Sequence, residues 1–182
     1  MNYLDQFKTA EINSNLLEKL KTNLTAVEGK IKIMEVCGTH TQAISQSGLR
    51  EVLPVNVELL TGPCCPICVT PLSYIDTAIS LAQQEEIIIA TFADLLKVPG
   101  SNSTLELEQA QGRNVETVYS PLDAVKIAQN NPQQEVLFLA VGFETTAPVI
   151  ALSILKAQNK NLSNYSILQG LKTMPSVMEK LV

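Results

Sequence analysis

The sequence predicts an α/β fold of parallel sheets with helices on both faces, and three observations predict it. Short β-rich apolar runs alternate with stretches of helical period along the chain. Several runs, "EIIIATF" and "VLFLAVGF" among them, are apolar over consecutive residues rather than alternating, as strands covered on both faces are. Glycine-bearing loops, "CGTH", "GPCCPIC" and "GFETT", separate strand from helix.

The elements follow in order. Leu16, Leu17, Leu20, Leu24 and Val27 recur at helical spacing, "KIKIMEV" is a strand running into "CGTH", and "TQAISQSGLREVL" resumes a helical pattern. "NVELLT" leads into the cysteine loop and the helix "LSYIDTAISLAQQ"; "EIIIATF" leads into "ADLLKVPG" and a polar stretch. A second series places "NVETVY" before the helix "SPLDAVKIAQN", and "EVLFLAV" before "GFETTAP" and the helix "VIALSILKAQN". The boundary falls near Gly112 to Asn114, giving residues 1–113 and 114–182 as two Rossmann-like lobes, the second incomplete.

Composition limits the function. A chain of 182 residues, 46% apolar, buries a real core as one large domain or two small ones. With 13 basic against 18 acidic residues the net charge is −5, and no basic cluster offers a nucleic-acid footprint. The apolar runs fall far short of the roughly 20 residues of a membrane span, and "MNYLDQFKTAEINSN" lacks the apolar core of a signal peptide. The expectation is a cytosolic protein. There, clustered cysteines bind metal or do redox chemistry more often than they form structural disulfides, although a lone cysteine is usually a small buried apolar residue.

In parallel α/β sheets ligands gather beyond the carboxyl ends of the strands, and all three loops lie there. Gly38, Gly62 and Gly142 also fit the plainer reading that each supplies a positive φ to a turn. Cys37 and His40, the single histidine, are three residues apart on a turn that opens a helix. That pair suits a soft or borderline transition metal, a catalytic Cys-His dyad, or a packed cysteine beside a hydrogen-bonded histidine. Cys65 and Cys68 form a C-x-x-C whose spacing serves a disulfide or two ligands to one metal, and Pro66 within it stiffens the loop. A mixed site of Cys37, His40, Cys65 and Cys68 fits the same residues. Cys64 reads as a spectator, because adjacent side chains rarely aim at one ion without strain.

"MEVCGTHTQAISQSGLREVLP", "NVELLTGPCCPICVTP" and "LFLAVGFETTAP", in this order, resemble the HypD family of hydrogenase maturation factors. The resemblance implies a cytosolic scaffold on which the iron centre of NiFe hydrogenases, with its cyanide and carbon monoxide ligands, is assembled with the partner HypC, while HypE delivers the cyanide. It implies that Cys37 holds iron together with a cysteine of HypC, with His40 close by as ligand or orienter. It implies that Cys65 and Cys68 are a redox thiol pair, and that Glu144, with Thr145 and Thr146, lines the crevice; Glu144 would position a proton or a delivered ligand, or, on the plainer reading, is a first-turn carboxylate favoured by the helix dipole.

Two departures stand out. Cys64 occupies a position where the family has glycine. The family's chains run to about twice this length and carry cysteines for a 4Fe-4S cluster, whereas no cysteine follows Cys68 here, so this chain is not expected to bind that cluster. Two other readings stand beside the scaffold: a thiol-disulfide redox protein using Cys65 and Cys68, and an inactive truncated remnant.

Overall fold

The structure, a computed structural model, describes residues 10–36, 38–62 and 65–181, without the side chains of residues 10–13 and 39. Cys37, Pro63 and Cys64 lie outside the described residues. The chain divides into two compact units, Met1–Cys64 and Cys65–Val182. The Gly112–Asn114 boundary expected from sequence falls between two strands that pair within the second unit's sheet.

The first unit runs α1 (Ala10–Thr25), β1 (Ile31–Glu35), α2 (Gly38–Gln46), α3 (Leu49–Val52) and β2 (Val57–Thr61). The strands pair in parallel, Ile31 opposite Val57 through Glu35 opposite Thr61. "TQAISQSGLREVL" forms two helices rather than the one its period suggests, because Gly48 at φ 66° takes a left-handed conformation that interrupts the ladder. The Asn56 side chain donates to Leu24 O (2.9 Å) and Val27 O (3.3 Å), satisfying carbonyls at and beyond the end of α1. Arg50 Nη1 donates to Leu59 O at 2.9 Å, fixing α3 to β2. No described residue of this unit is fully buried.

The second unit runs α4 (Leu72–Ala82), β3 (Ile87–Thr91), α5 (Ala93–Leu96), α6 (Leu105–Ala110), β4 (Val115–Thr117), α7 (Pro121–Asn130), β5 (Glu135–Gly142), α8 (Ala147–Asn159), β6 (Tyr165–Leu171) and α9 (Pro175–Leu181). Its four strands are all parallel, in the order β4-β3-β5-β6. The continuous apolar runs are explained by two cores, one on each face. Ile89, Leu137, Leu139 and Val141 pack with Tyr74, Ile75, Ala78 and Ile79 of α4. Ile88, Ala90, Val136, Phe138 and Ala140 pack with residues of α7 and α8 such as Ala124 and Ile150. Successive side chains of β3 and β5 thus enter opposite cores.

Helix α6 falls in the polar stretch where the sequence reading placed no element. Its six residues show too little period to announce it, but Thr104 Oγ1 caps it by accepting from Leu107 N at 3.1 Å, and Leu105 is fully buried. The loop before it is held by Asp76 of α4, whose carboxylate accepts from Ser101 N and Ser101 Oγ, each at 2.7 Å. The backbone bond first, and then the hydroxyl, hold the Asp76 carboxyl below its ordinary value of 3.8. A lowered folded-state pKa contributes stability above that ordinary value and loses it as pH falls through the lowered one. Asp76→Asn should therefore melt below the parent at neutral pH, with the gap closing below about pH 4. Thermal melts of both proteins from pH 7 to pH 2.5 check this.

Candidate functional site at the carboxyl ends of the strands

The strand order sets the place. From β3 the chain crosses towards β4, whereas from β5 it crosses towards β6, so the connections diverge between two neighbouring strands and leave a crevice at their carboxyl ends. A cavity of about 220 Å³ lies there, lined by Cys65, Pro66, Ile67, Phe92, Asp94, Leu95, Val141, Gly142 and Thr146. Its wall is stiff on the β3 side, where the Phe92 ring packs edge-on against Phe138 with centroids 5.5 Å apart.

The cysteine loop is a tight turn. Cys68 N donates to Cys65 O at 3.0 Å, which puts Pro66 at the second turn position, where its fixed φ is favoured. Thr70 N donates to Ile67 O (3.0 Å) and Thr70 Oγ1 to Pro66 O (2.9 Å), and Ile67 packs on the first core. The turn brings Cys65 Sγ and Cys68 Sγ to 3.5 Å as two thiols, with Cys65 half-buried at the cavity and Cys68 exposed. Closing a disulfide from there takes a small side-chain rotation and no refolding of the loop.

Beyond β5 the chain turns sharply, Thr146 N donating to Phe143 O at 2.9 Å. Gly142 is not in the left-handed region; among the described glycines that conformation occurs at Gly29, Gly48 and Gly112. Gly142 is required by proximity instead, since a Cβ there would lie 2.5 Å from Thr146 Cβ and 2.6 Å from Thr146 Oγ1. Gly62, at the end of β2, is the same case: a Cβ would meet the Met34 side chain at 2.6 Å and Glu35 O at 2.9 Å.

Glu144 precedes α8 rather than lying in its first turn, and its side chain is exposed. Its Oε1 accepts from Met174 N at 2.7 Å, bridging the loop after β5 to the residue that opens α9. Thr145 is exposed, and of the three residues expected from "GFETT" Thr146 is the one that lines the cavity. Because the Glu144 bond is solvent-exposed, Glu144→Ala should lower the melting temperature by no more than a few degrees while loosening α9. Faster amide exchange over residues 174–181, with β5 unchanged, is the signature.

In the first unit, β1 and β2 end side by side, with Gly62 N donating to Glu35 O at 2.8 Å. Thr41 Oγ1 of α2 donates to Glu35 Oε1 at 2.6 Å and fixes the start of that helix. His40 sits exposed in its first turn. Cys37, immediately before the helix, lies outside the described residues, as does Cys64. Among the described residues no group of three or more His, Cys, Asp or Glu is placed to hold a metal ion, and no helix is long and apolar enough to cross a membrane.

Sequence reasoning passed over Phe92 and Asp94. Both follow a strand in an unremarkable stretch, and the only signal for them is their position after β3, which gains meaning once β3 is known to lie beside β5.

A family model described as HypD, hydrogenase formation hypA family, matches residues 11–182. The chain is 39% identical over 186 residues to the hydrogenase maturation factor HypD of Escherichia coli, covering 100% of this chain and 50% of that protein. It is 40% identical over 183 residues to hydrogenase maturation factor HypD2 of Bradyrhizobium diazoefficiens, covering 100% of this chain and 48% of the relative. Against the hydrogenase expression/formation protein HupD of Azotobacter chroococcum the identity is 38% over 183 residues, with 100% and 48% covered. The chain thus spans about half the length of the curated relatives it matches.

Proposed function

Because the chain belongs to the HypD family of hydrogenase maturation proteins, we propose that it acts in assembling the iron centre of NiFe hydrogenases, with iron and its cyanide and carbon monoxide ligands as cargo. HypC shares the iron with Cys37, His40 stands beside it, and HypE delivers the cyanide. The observation that carries this reading is the Cys65–Cys68 dithiol, 3.5 Å apart on a rigid turn at the cavity of the second unit. A thiolate suits low-spin iron carrying strong-field ligands, and a dithiol closing to a disulfide releases two electrons and two protons. Glu144 holds the neighbouring loop and positions a proton or incoming ligand, so Glu144→Gln cuts maturation more than it cuts stability.

The test is to purify the chain with and without HypC, then measure iron content and record infrared bands of bound cyanide and carbon monoxide. Iron and both bands appearing only with HypC support the scaffold. Neither appearing, in a complex that does form, overturns it.

The same dithiol also fits plain thiol-disulfide exchange without metal. Thiol titration of the metal-free chain should show one reversible disulfide, mapping by mass spectrometry to Cys65 and Cys68. A bridge to Cys64, or stoichiometric zinc that resists mild chelation, overturns the redox-pair assignment.

A further inference from the structure

We propose that the Cys65–Cys68 pair, once closed to a disulfide, is reopened at Cys68 by a dithiol protein that docks on the uncharged, apolar surface beside that residue. This rests on the redox reading of the pair given above, which leaves a disulfide that has to be reduced before the pair can act again. The two sulfurs are unequal. Cys65 is half-buried at the cavity walled by Phe92, Leu95 and Val141, whereas Cys68 is exposed. Attack on a disulfide needs a thiolate in line with the S–S bond, so access decides which sulfur is struck. The Phe92 ring is braced against Phe138, and a cavity of about 220 Å³ has no room for a polypeptide at Cys65.

The surface beside Cys68 selects the reductant. From Thr61 to Ile75 the sequence carries no charged residue. Val69, next to Cys68, and Leu72, which opens α4, are 40% and 53% exposed. The next charge along the chain, Asp76, is engaged by Ser101, and among the described residues the one charge lining the cavity at Cys65 is the Asp94 carboxylate. Glutathione, whose net charge is negative, thus finds an anion near the pair and no cation on this segment to hold it. A dithiol carried on an apolar protein surface covers Val69 and Leu72 and gains by removing them from water. The segment is already fixed for docking, since Ile67 packs on the first core and Thr70 bonds to Pro66 O and Ile67 O, so little ordering is needed.

The exchange balances in two displacements. The partner's first thiolate attacks Cys68 Sγ, the bond between the two cysteines breaks, and Cys65 leaves as a thiolate that takes up a proton. The partner's second thiolate then attacks the partner sulfur of the mixed disulfide, and Cys68 leaves and is protonated in turn. The partner ends as a disulfide, and two electrons and two protons have passed to the pair. With the two sulfurs 3.5 Å apart as thiols on one turn, Cys65 stays beside the mixed disulfide and can reverse the first displacement, so only a partner with a second thiol close to its first drives the exchange to completion.

The test closes the bridge in the purified chain with diamide and follows its reduction, at matched thiolate concentration, by reduced thioredoxin as the dithiol-protein probe and by reduced glutathione. Thioredoxin should act faster by about 100-fold or more, and a thioredoxin variant lacking its second active-site cysteine should be trapped in a mixed disulfide that maps by mass spectrometry to Cys68. Leu72→Glu, which sets a charge on the docking surface at a helix start that tolerates an acid, should lower the rate with thioredoxin about tenfold relative to the rate with dithiothreitol, which needs no docking. Glutathione matching thioredoxin, a trap at Cys65, or a Leu72→Glu chain with the parent's ratio of rates would each overturn the proposal. A diamide-treated chain with no bridge between Cys65 and Cys68 would instead remove the redox pair on which it rests, and the proposal with it.

Discussion

Cys37→Ala is expected to abolish iron retention in the complex with HypC while leaving both compact units folded. The residue lies in sequence between β1, which ends at Glu35, and α2, which begins at Gly38, and it supplies a soft thiolate that no alanine replaces. β1 is held by its register with β2 and by Gly62 N on Glu35 O, and the start of α2 by Thr41 on Glu35. Circular dichroism and the melting temperature should stay near the parent's while iron falls to background. His40→Ala is expected to weaken the site by about 10- to 100-fold, the usual consequence of losing a group that orients a ligand. The contrast with Cys68→Ser separates chemistry from redox: that variant should lose the reversible disulfide and keep iron bound. Unchanged iron in Cys37→Ala would remove the assignment, and iron lost equally in Cys68→Ser would move the ligand set to the cysteine loop.

The second large effect is on stability. Gly142→Ala places a methyl group 2.5 Å from Thr146 Cβ, a position fixed by the backbone rather than the flexible end of a side chain. Thr146 cannot retreat easily, because its N–H is bonded to Phe143 O and it opens α8. Overpacking of this kind costs about 1–3 kcal/mol, which for a unit of this size lowers the melting temperature by several degrees or more. The effect should be strongly coupled. Thr146→Gly removes the three atoms nearest to the new methyl group, so Gly142→Ala should cost much less in that background, and a double-mutant cycle reads the difference. Independent, additive losses would show that Gly142 serves some purpose other than close approach. Both residues line the cavity that holds Cys65, so the single variant should also change the rate at which that thiol is alkylated.

Much of this was legible in the residues. The apolar runs "EIIIATF" and "VLFLAVGF" announced strands covered on both faces, and β3 and β5 send alternate side chains into two separate cores. Pro66 within C-x-x-C announced a stiff turn, and the turn is there with its thiols in contact. Local signals of this kind survive because they act over three or four residues. Where the signal was weak or its partner distant, reading failed. The six-residue α6 has too few turns to show a period. Glu144 looked like a helix-start carboxylate, and its partner Met174 is 30 residues further on. The glycines were read as conformational, whereas Gly62 and Gly142 are demanded by neighbours that only folding brings close.

The sequence by itself determined the α/β class, the loops that carry the cysteines and the family, because hydrophobic period, turn chemistry and motif spacing are written along the chain. The tertiary structure alone decided that β3 lies beside β5, and hence that Phe92 and Asp94 share a cavity with Cys65 and Thr146. It also decided that Asp76 holds Ser101. The physical reason is that strand order is fixed by the burial of whole faces against one another, a sum over residues far apart in the chain to which no short stretch gives a clue.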